Sequence, residues 1–148
     1  MNVAKGKSSV SQRGFTLLEI MVVVVIIGLL AAIVAPKLLG NIDTARTNRA
    51  RQDIRNIETA LNLYRLDNFK YPTTDQGLQA LVTNPGAAVA PNWKPGGYLR
   101  SIPRDPWNNP YHYRYPGQHG DFDVWTYGAD GQQGGEGTDA DIGNWNIE

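Results

Sequence analysis

The chain has 148 residues with 14 basic and 14 acidic side chains, so its charge balance excludes the strongly basic surface typical of nucleic-acid-binding proteins. It has no cysteine, which excludes stabilisation by disulfides. A domain this small must then be stabilised by packing, by a metal or by oligomerisation.

The N-terminal part of the chain is a basic segment followed by an apolar run. Residues 1–14 contain three basic residues and no acidic one, and no charged residue occurs at 20–35. As a helix, residues 15–35 would be about 30 Å long, which matches the hydrocarbon core of a bilayer. Glu19 stands near the start of this run, where a carboxylate is costly unless it has a partner. The sequence therefore predicts a transmembrane helix at 15–35 that carries one functional carboxylate.

The boundary between these two segments carries the most specific motif. Residues 14–19 are GFTLLE, and Arg13 precedes them. An ordinary secretory signal is cleaved after its apolar region, at a small-residue site. The motif instead resembles the processing site of type IV pilins and the related pseudopilins.

This resemblance implies that a prepilin peptidase removes residues 1–14 as a leader by cleaving between Gly14 and Phe15. It further implies N-methylation of Phe15 and pairing of Glu19 with the Phe15 amine of a neighbouring subunit during filament assembly. A plain signal-anchor helix, with Glu19 reaching the headgroups, is the alternative interpretation.

The distribution of basic residues and the family resemblance imply opposite orientations of the transmembrane helix in the membrane. Five basic residues lie between residues 37 and 55, against three before the apolar run. The positive-inside rule would therefore place the C-terminal part in the cytoplasm. The resemblance implies a single-pass protein of the bacterial inner membrane with its C-terminal head in the periplasm, where it assembles into a filament. We therefore expect the orientation that the resemblance implies, with the head in the periplasm.

After the apolar run, the sequence predicts an amphipathic second half of the same helix. Pro36 removes one backbone hydrogen bond, so it kinks or unwinds the helix, or it simply ends the membrane segment. From about 37 to 67, apolar residues recur at spacings of three and four, which is typical of a helix that buries one face. Residues 36–148 are predicted to form the head, which includes this half-helix. The most regular part of the apolar stripe consists of Ala50, Ile54, Ile57, Leu61 and Tyr64.

The remaining elements of the head are predicted to be short. A short helix is expected at 73–82 with Thr74 as its cap. Residues 99–103 form at most a short strand. Alternating apolar residues at 111–115 and 122–127 predict an antiparallel hairpin that packs on the helix.

The tail beyond this hairpin is expected to return to the head. Trp145 is its predicted packing anchor, and Trp93 is expected to pack on the head from the preceding loop. A long N-terminal helix on a small antiparallel sheet makes the predicted fold class α+β.

Motifs in the second half narrow the resemblance to one family. YPTT at 71–74, DPW at 105–107, NPY at 109–111, GADG at 128–131 and ADIGNW at 140–145 together resemble the major pseudopilins of type II secretion systems. The similarity covers nearly the whole chain from Gly14. Two positions depart from it: Asn108, where a glycine is expected, and Phe69, where the residue is usually smaller.

The family resemblance implies a type IV pilin-like fold and a structural function. Subunits of this kind polymerise into the periplasmic pseudopilus, which drives export of folded proteins across the outer membrane. The implied partners are further copies of the chain, minor pseudopilins, the inner-membrane assembly platform and the prepilin peptidase. No nucleic acid is expected as a partner.

Two other functions are weighed against this one. A type IV pilin subunit for adhesion or motility is one, although such pilins often carry a disulfide near the C-terminus. A membrane-anchored periplasmic enzyme or binding module is the other. The only histidines are His112 and His119, and the glycine-rich stretch 131–137 lacks the ending of a phosphate-binding loop. We therefore expect no enzymatic activity.

The C-terminal tail is acidic and rich in glycine. No lysine or arginine follows Arg114, whereas seven acidic residues do. Ca²⁺ takes six to eight oxygen ligands, often from such loops, although the residues alone favour a flexible acidic loop. The resemblance implies a C-terminal Ca²⁺-binding loop that ties down this tail. It implies side-chain ligands at Asp130, Asp139 and Asp141, and backbone carbonyl ligands at Tyr127 and Gln132.

Overall fold

The computed structural model describes residues 14–147, so most of the predicted leader lies outside the described residues. The chain divides into an N-terminal unit that ends at Gly40 and a head unit that begins at Asn41. In chain order, the elements are α1 (Leu17–Asn68), a 3₁₀ helix (Leu78–Leu81), β1 (His112–Arg114), β2 (Asp123–Thr126), a second 3₁₀ helix (Gly137–Asp139) and β3 (Ile142–Gly143). The predicted α+β fold class is confirmed.

The N-terminal unit consists of the first part of α1. The Thr16 hydroxyl accepts a hydrogen bond from the Glu19 N–H at 3.2 Å, which satisfies one of the free donors at the start of the helix. Pro36 lies inside α1, which continues beyond it to Asn68. By length and composition α1 is able to cross a membrane, as the apolar run predicts.

The second part of α1 provides the core of the head unit. Tyr64 and the rest of the predicted stripe are 0 % exposed, so the helical periodicity correctly identified the buried face. These residues belong to one hydrophobic cluster with Tyr113, Val124 and Ile142 of the three strands. The Trp93 indole N–H donates to the Ala80 carbonyl at 2.8 Å, which confirms that this ring packs on the head.

The three strands form an antiparallel sheet in the order β1-β2-β3. Tyr113 pairs with Val124, and both are buried in the core. The neighbouring pair, His112 and Trp125, is only partly buried because successive residues of a strand point to opposite faces of the sheet. The predicted hairpin is confirmed with shorter strands, whereas β3 is an additional strand that the sequence did not predict.

Two local predictions are wrong. The helix expected at 73–82 is only the 3₁₀ turn Leu78–Leu81, and Gly77 occupies its N-cap position. Thr74 does not cap it, because its hydroxyl instead donates to the Tyr115 carbonyl at 2.9 Å and accepts from the Tyr115 N–H at 3.0 Å. Residues 99–103, all of which are described, form no strand, which agrees with the prediction of a short strand at most.

The tail returns to the head through two side chains. Trp145 is 36 % exposed and stacks on His119, with ring centres 3.9 Å apart and planes 15° apart. Ile147 is buried, and its carbonyl accepts a hydrogen bond of 2.6 Å from the Arg55 guanidinium. The expected return of the tail is confirmed, with Ile147 as its more buried anchor.

Candidate functional site

The predicted processing and assembly residues lie at the start of α1. Phe15 is 80 % exposed, and Glu19 is exposed in the first turn of the helix. An acidic side chain is favourable there because the first turn of a helix carries a partial positive charge. Among the side chains that the structure describes, those of residues 14–36 and 40–147, no basic one forms an ion pair with Glu19. The carboxylate is therefore available for a partner from another molecule.

The apolar side chains that follow Glu19 are also exposed. From residue 20 to residue 34, every large hydrophobic side chain is at least 46 % exposed in the single chain. Apolar surface of this extent indicates an interaction with lipid or with another protein. The start of α1 thus combines an unpaired carboxylate with an apolar surface that a single copy leaves uncovered.

The acidic loop is held in shape by two of its three predicted Ca²⁺ ligands. Asp130 Oδ1 accepts from the Gln132 N–H at 3.0 Å, and Asp141 Oδ2 accepts from the Gly134 N–H at 3.0 Å. The second oxygen of Asp141, Oδ1, is buried without a hydrogen-bond partner. Because a buried unpaired carboxylate oxygen is unfavourable, this atom fits a metal ligand.

The other predicted ligands do not surround this oxygen as a preformed site. Among the described residues, no three His, Cys, Asp or Glu side chains are close enough together to hold a metal ion. Asp139 ends the second 3₁₀ helix and is half-buried, whereas Asp130 is exposed. The loop therefore supplies oxygens of the chemistry that Ca²⁺ prefers, but among its described side chains only Asp141 has a buried oxygen without a hydrogen-bond partner.

Asp141 also lines a polar cleft on the outer face of the sheet. The cleft has a volume of about 480 Å³, and its aromatic walls include Trp125, Tyr127 and Trp145. Tyr127, one of the predicted carbonyl ligands, packs its ring on His112 with centres 4.6 Å apart. In this cleft, rings from β2 and from the residue that follows it lie beside Asp141 of the acidic loop.

Asp123 is a buried charge that the sequence did not single out. Its carboxylate is 1 % exposed and accepts hydrogen bonds from the backbone N–H groups of Gln118 and His119, at 2.7 and 3.1 Å. The His119 ring and the Arg114 guanidinium lie 3.2 and 3.4 Å away. Burial raises the pKa of Asp123, but these donors outweigh it and hold the pKa below its ordinary value. Asp123 therefore fixes the turn between β1 and β2 as a charged group.

Comparison with known families identifies what these features belong to. Residues 37–145 match the family model described as type II secretion system (T2SS), protein G, and residues 10–35 match the prokaryotic N-terminal methylation motif. The first match alone spans more than half of the chain. The chain belongs to the type II secretion system protein G family.

Individual relatives agree with this membership. The chain is 59 % identical to the type II secretion system core protein G of Vibrio cholerae over 137 residues, which cover 93 % of this chain and 94 % of that protein. It is 55 % identical to the protein of the same name from Pseudomonas aeruginosa over 135 residues, covering 90 % and 95 %. The predicted function as a structural subunit of the type II secretion pseudopilus is confirmed.

A solved structure of the family shows the same fold. The crystal structure of the major pseudopilin from the type 2 secretion system of enterohaemorrhagic Escherichia coli superimposes with a TM-score of 0.66 at 41 % identity. The match covers 75 % of this chain and 92 % of that chain. The predicted type IV pilin-like architecture of a protein G family member is thereby confirmed.

Proposed function

We propose that this pseudopilin polymerises from the inner membrane into a periplasmic filament whose growth drives the export of folded proteins. The observation that supports this most directly is the exposed apolar surface at 20–34, which follows an unpaired carboxylate on a chain whose head has its own core. A surface of this kind is stable in lipid before assembly. In a filament, the same surface is stable against the equivalent helices of other copies.

The processing motif defines how the chain enters this process. The prepilin peptidase removes residues 1–14 on the cytoplasmic side of the inner membrane and methylates the new terminus at Phe15. Residues 15–35 then span the membrane, and the head lies in the periplasm. The match of residues 10–35 to the N-terminal methylation motif supports this order of events.

Glu19 forms the contact through which a new subunit joins the filament. Its carboxylate is exposed and lacks an ionic partner among the side chains of residues 14–36 and 40–147, and cleavage creates a positively charged amine four residues earlier. In an apolar environment, an unpaired carboxylate is costly, so pairing with the Phe15 amine of another copy favours assembly. Minor pseudopilins and the inner-membrane assembly platform are the further partners we propose.

Ca²⁺ is the proposed ligand of the acidic loop. When bound, the ion would offset part of the negative charge of the loop and satisfy the buried Oδ1 atom of Asp141. Asp130 and Asp139 lie on the same loop, and Tyr127 and Gln132 offer backbone carbonyls. We propose that this set closes around the ion as it binds, because the unpaired Asp141 oxygen is already in place and the remaining carboxylates are not.

The experiment that tests the proposed function combines mass spectrometry with an export assay. We expect the mature chain to begin with N-methylated Phe15, and we expect deletion of the gene to stop export until the wild-type chain is restored. Gly14→Val should leave the leader uncleaved, whereas Gly6→Val, at the other leader glycine, should be processed normally. A chain that keeps Met1, or normal export in the deletion strain, would contradict the proposal.

A further inference from the structure

The end of α1 carries a second apolar surface, on the head unit. Leu63, Leu66 and Phe69 follow each other at intervals of three residues and are 43 %, 71 % and 84 % exposed. We call these three residues the ridge. With Asn62 and Arg65, the last two also line a shallow surface depression of about 450 Å³.

Phe69 is exposed at a position that ordinarily favours glycine. α1 ends at Asn68, and the Phe69 N–H still donates to the Arg65 carbonyl at 2.7 Å while its φ is +61°. The residue after a helix often adopts this left-handed conformation, which glycine reaches without a steric penalty. A phenylalanine there strains the backbone and exposes an aromatic ring, and neither is favourable in an isolated chain. Such a feature is typical of a residue that gains its energy from a further contact.

Two charged groups beside the ridge are engaged within the head. The Arg65 guanidinium lies 3.4 Å from the Asp121 carboxylate and donates to the Tyr71 hydroxyl at 3.1 Å. Asp67 accepts a hydrogen bond of 2.9 Å from the Tyr98 hydroxyl. These two groups have partners within the head and the ridge side chains themselves are apolar, so the ridge favours an apolar, uncharged partner.

The chain itself contains a partner of this chemistry. Residues 20–34 expose large aliphatic side chains and carry no charge. Two different surfaces that fit each other form a heterologous contact, which repeats from copy to copy into an open filament instead of closing as a dimer. We propose that the ridge of one subunit packs against the apolar helix face at 20–34 of a second copy. This inference rests on the proposed polymerisation and adds a contact between the head and the N-terminal helix.

Cysteine cross-linking of the full-length chain in its native host tests this contact. Because the chain has no cysteine, every disulfide between two copies must come from introduced residues. We would co-express Leu66→Cys with a series of single cysteines at 20–34 and identify the linked peptides by mass spectrometry. Asp75→Cys, at an exposed head position that is not part of the ridge, serves as the matched control.

We expect disulfide-linked pairs with Leu66→Cys whose yield varies along 20–34 with a period of about 3.6 residues. The yield at the best position should exceed that of the Asp75→Cys control by about tenfold, because a packed contact holds the two thiols together. Equal yields for both cysteines in assembled filaments would overturn the proposal. Reaction of the Leu66→Cys thiol with a lipid-soluble reagent, without such pairs, would overturn it in favour of a membrane contact.

A second variant separates the contact from any structural role of Phe69. Phe69→Asn should leave the melting temperature of the detergent-solubilised chain unchanged or higher, because asparagine tolerates a positive φ. Loss of the ring should nevertheless reduce the filament yield by about tenfold, the size of effect typical of a buried aromatic anchor. Asn108→Gly is the matched control, since Asn108 also has a positive φ, 72°, but is not part of the ridge.

The wild-type chain distinguishes failure of this inference from failure of the proposed function. If wild-type subunits form no filament, or export continues without them, the proposed function is wrong. If the wild type assembles and Phe69→Asn assembles equally well, only the contact at the ridge is wrong.

Discussion

In the N-terminal unit, the large hydrophobic side chains from Phe15 to Val34 are between 46 % and 80 % exposed, whereas Ile54, Ile57 and Leu61 of the same helix are fully buried in the head unit. Both parts of α1 are helical, so the difference lies in what covers the apolar residues. In the head, the covering surface consists of the three-stranded sheet and of residues from the connecting segments of the same chain, such as Leu81 and Ala90. At the N-terminal unit, the described part of the chain provides no such cover.

This contrast separates folding from assembly along one helix. The amphipathic stripe needs a sheet on one side only, and it leaves polar residues on the other side. The uncharged run at 20–34 has no polar side, so it needs partners around its circumference, as lipid or several helices provide. Substitutions in the amphipathic stripe of the head should therefore affect folding of the chain. Substitutions in the apolar run at 20–34 should instead affect assembly.

The largest effect is expected at Glu19. Glu19→Ala should leave cleavage after Gly14 and membrane insertion intact but reduce export by at least about 100-fold, because the contact with the Phe15 amine is lost. Mass spectrometry of the mature chain and the amount of exported protein measure the two outcomes. Asp75→Ala removes an exposed carboxylate of the head and should export normally. Normal export by Glu19→Ala would remove the assembly role.

A matched pair of leucines on α1 sharpens the contrast within the head. Leu61→Ala should lower the free energy of unfolding of the detergent-solubilised chain by about 2–5 kcal/mol, because it opens a cavity in the core. Leu66→Ala should change it by less than about 0.5 kcal/mol, since this side chain is 71 % exposed. Urea unfolding followed by circular dichroism gives both values. Similar losses for the two variants would contradict the assignment of the buried face.

Ca²⁺ removal should destabilise the head by a smaller amount. A chelator should lower the melting temperature by about 5 °C, which corresponds to roughly 1 kcal/mol for a domain of this size. Asp141→Asn should melt at the lower temperature with or without the chelator. Asp75→Asn, which lies outside the acidic loop, should respond as the wild type does. A wild-type melting curve that the chelator leaves unchanged would show that no ion stabilises the loop.

The smallest effect is expected on the pH dependence of the unfolding free energy when the Asp123 carboxylate is removed. The pKa of Asp123 is below its ordinary value of 3.8 in the folded chain, so the carboxylate stabilises the fold at higher pH. This contribution is lost as the pH falls through the folded-state pKa, where the charge disappears. Asp123→Asn should therefore reduce the difference in unfolding free energy between pH 7 and pH 3, measured by urea titration. An unchanged difference would mean that Asp123 does not contribute to acid sensitivity.

The elements with a strong repeating pattern were predictable from the sequence. The stripe from Ala50 to Tyr64 specifies the buried face of α1, and alternation at 111–115 and 122–127 specifies the hairpin. β3 was not predictable because it has only two residues, and its pairing with β2 depends on how the whole tail returns. Thr74 was predicted as a local cap, but its hydroxyl binds Tyr115, 41 residues further along the chain.

The functional residues likewise divide into those that a local sequence pattern predicts and those that depend on contacts made only in the folded chain. The motif at 14–19 is local, so its position and exposure follow from the sequence. Asp123 could not be predicted as a buried charge, because its donors come together only when the turn between β1 and β2 folds. Phe69 was noticed only as a large residue in a turn. Its exposure and positive φ, which suggest a contact, are visible only in the structure.

The hydrogen bond from Arg55 to the Ile147 carbonyl has a practical consequence for labelling this protein. A fluorescent tag fused to the C-terminus would disturb a segment that is hydrogen-bonded to α1 and in which Ile147 is buried. Residues 86–88 are exposed and lie in a loop, where an insertion is better tolerated than at the buried end of the tail. A small epitope at that loop is the better choice for following the subunit by microscopy.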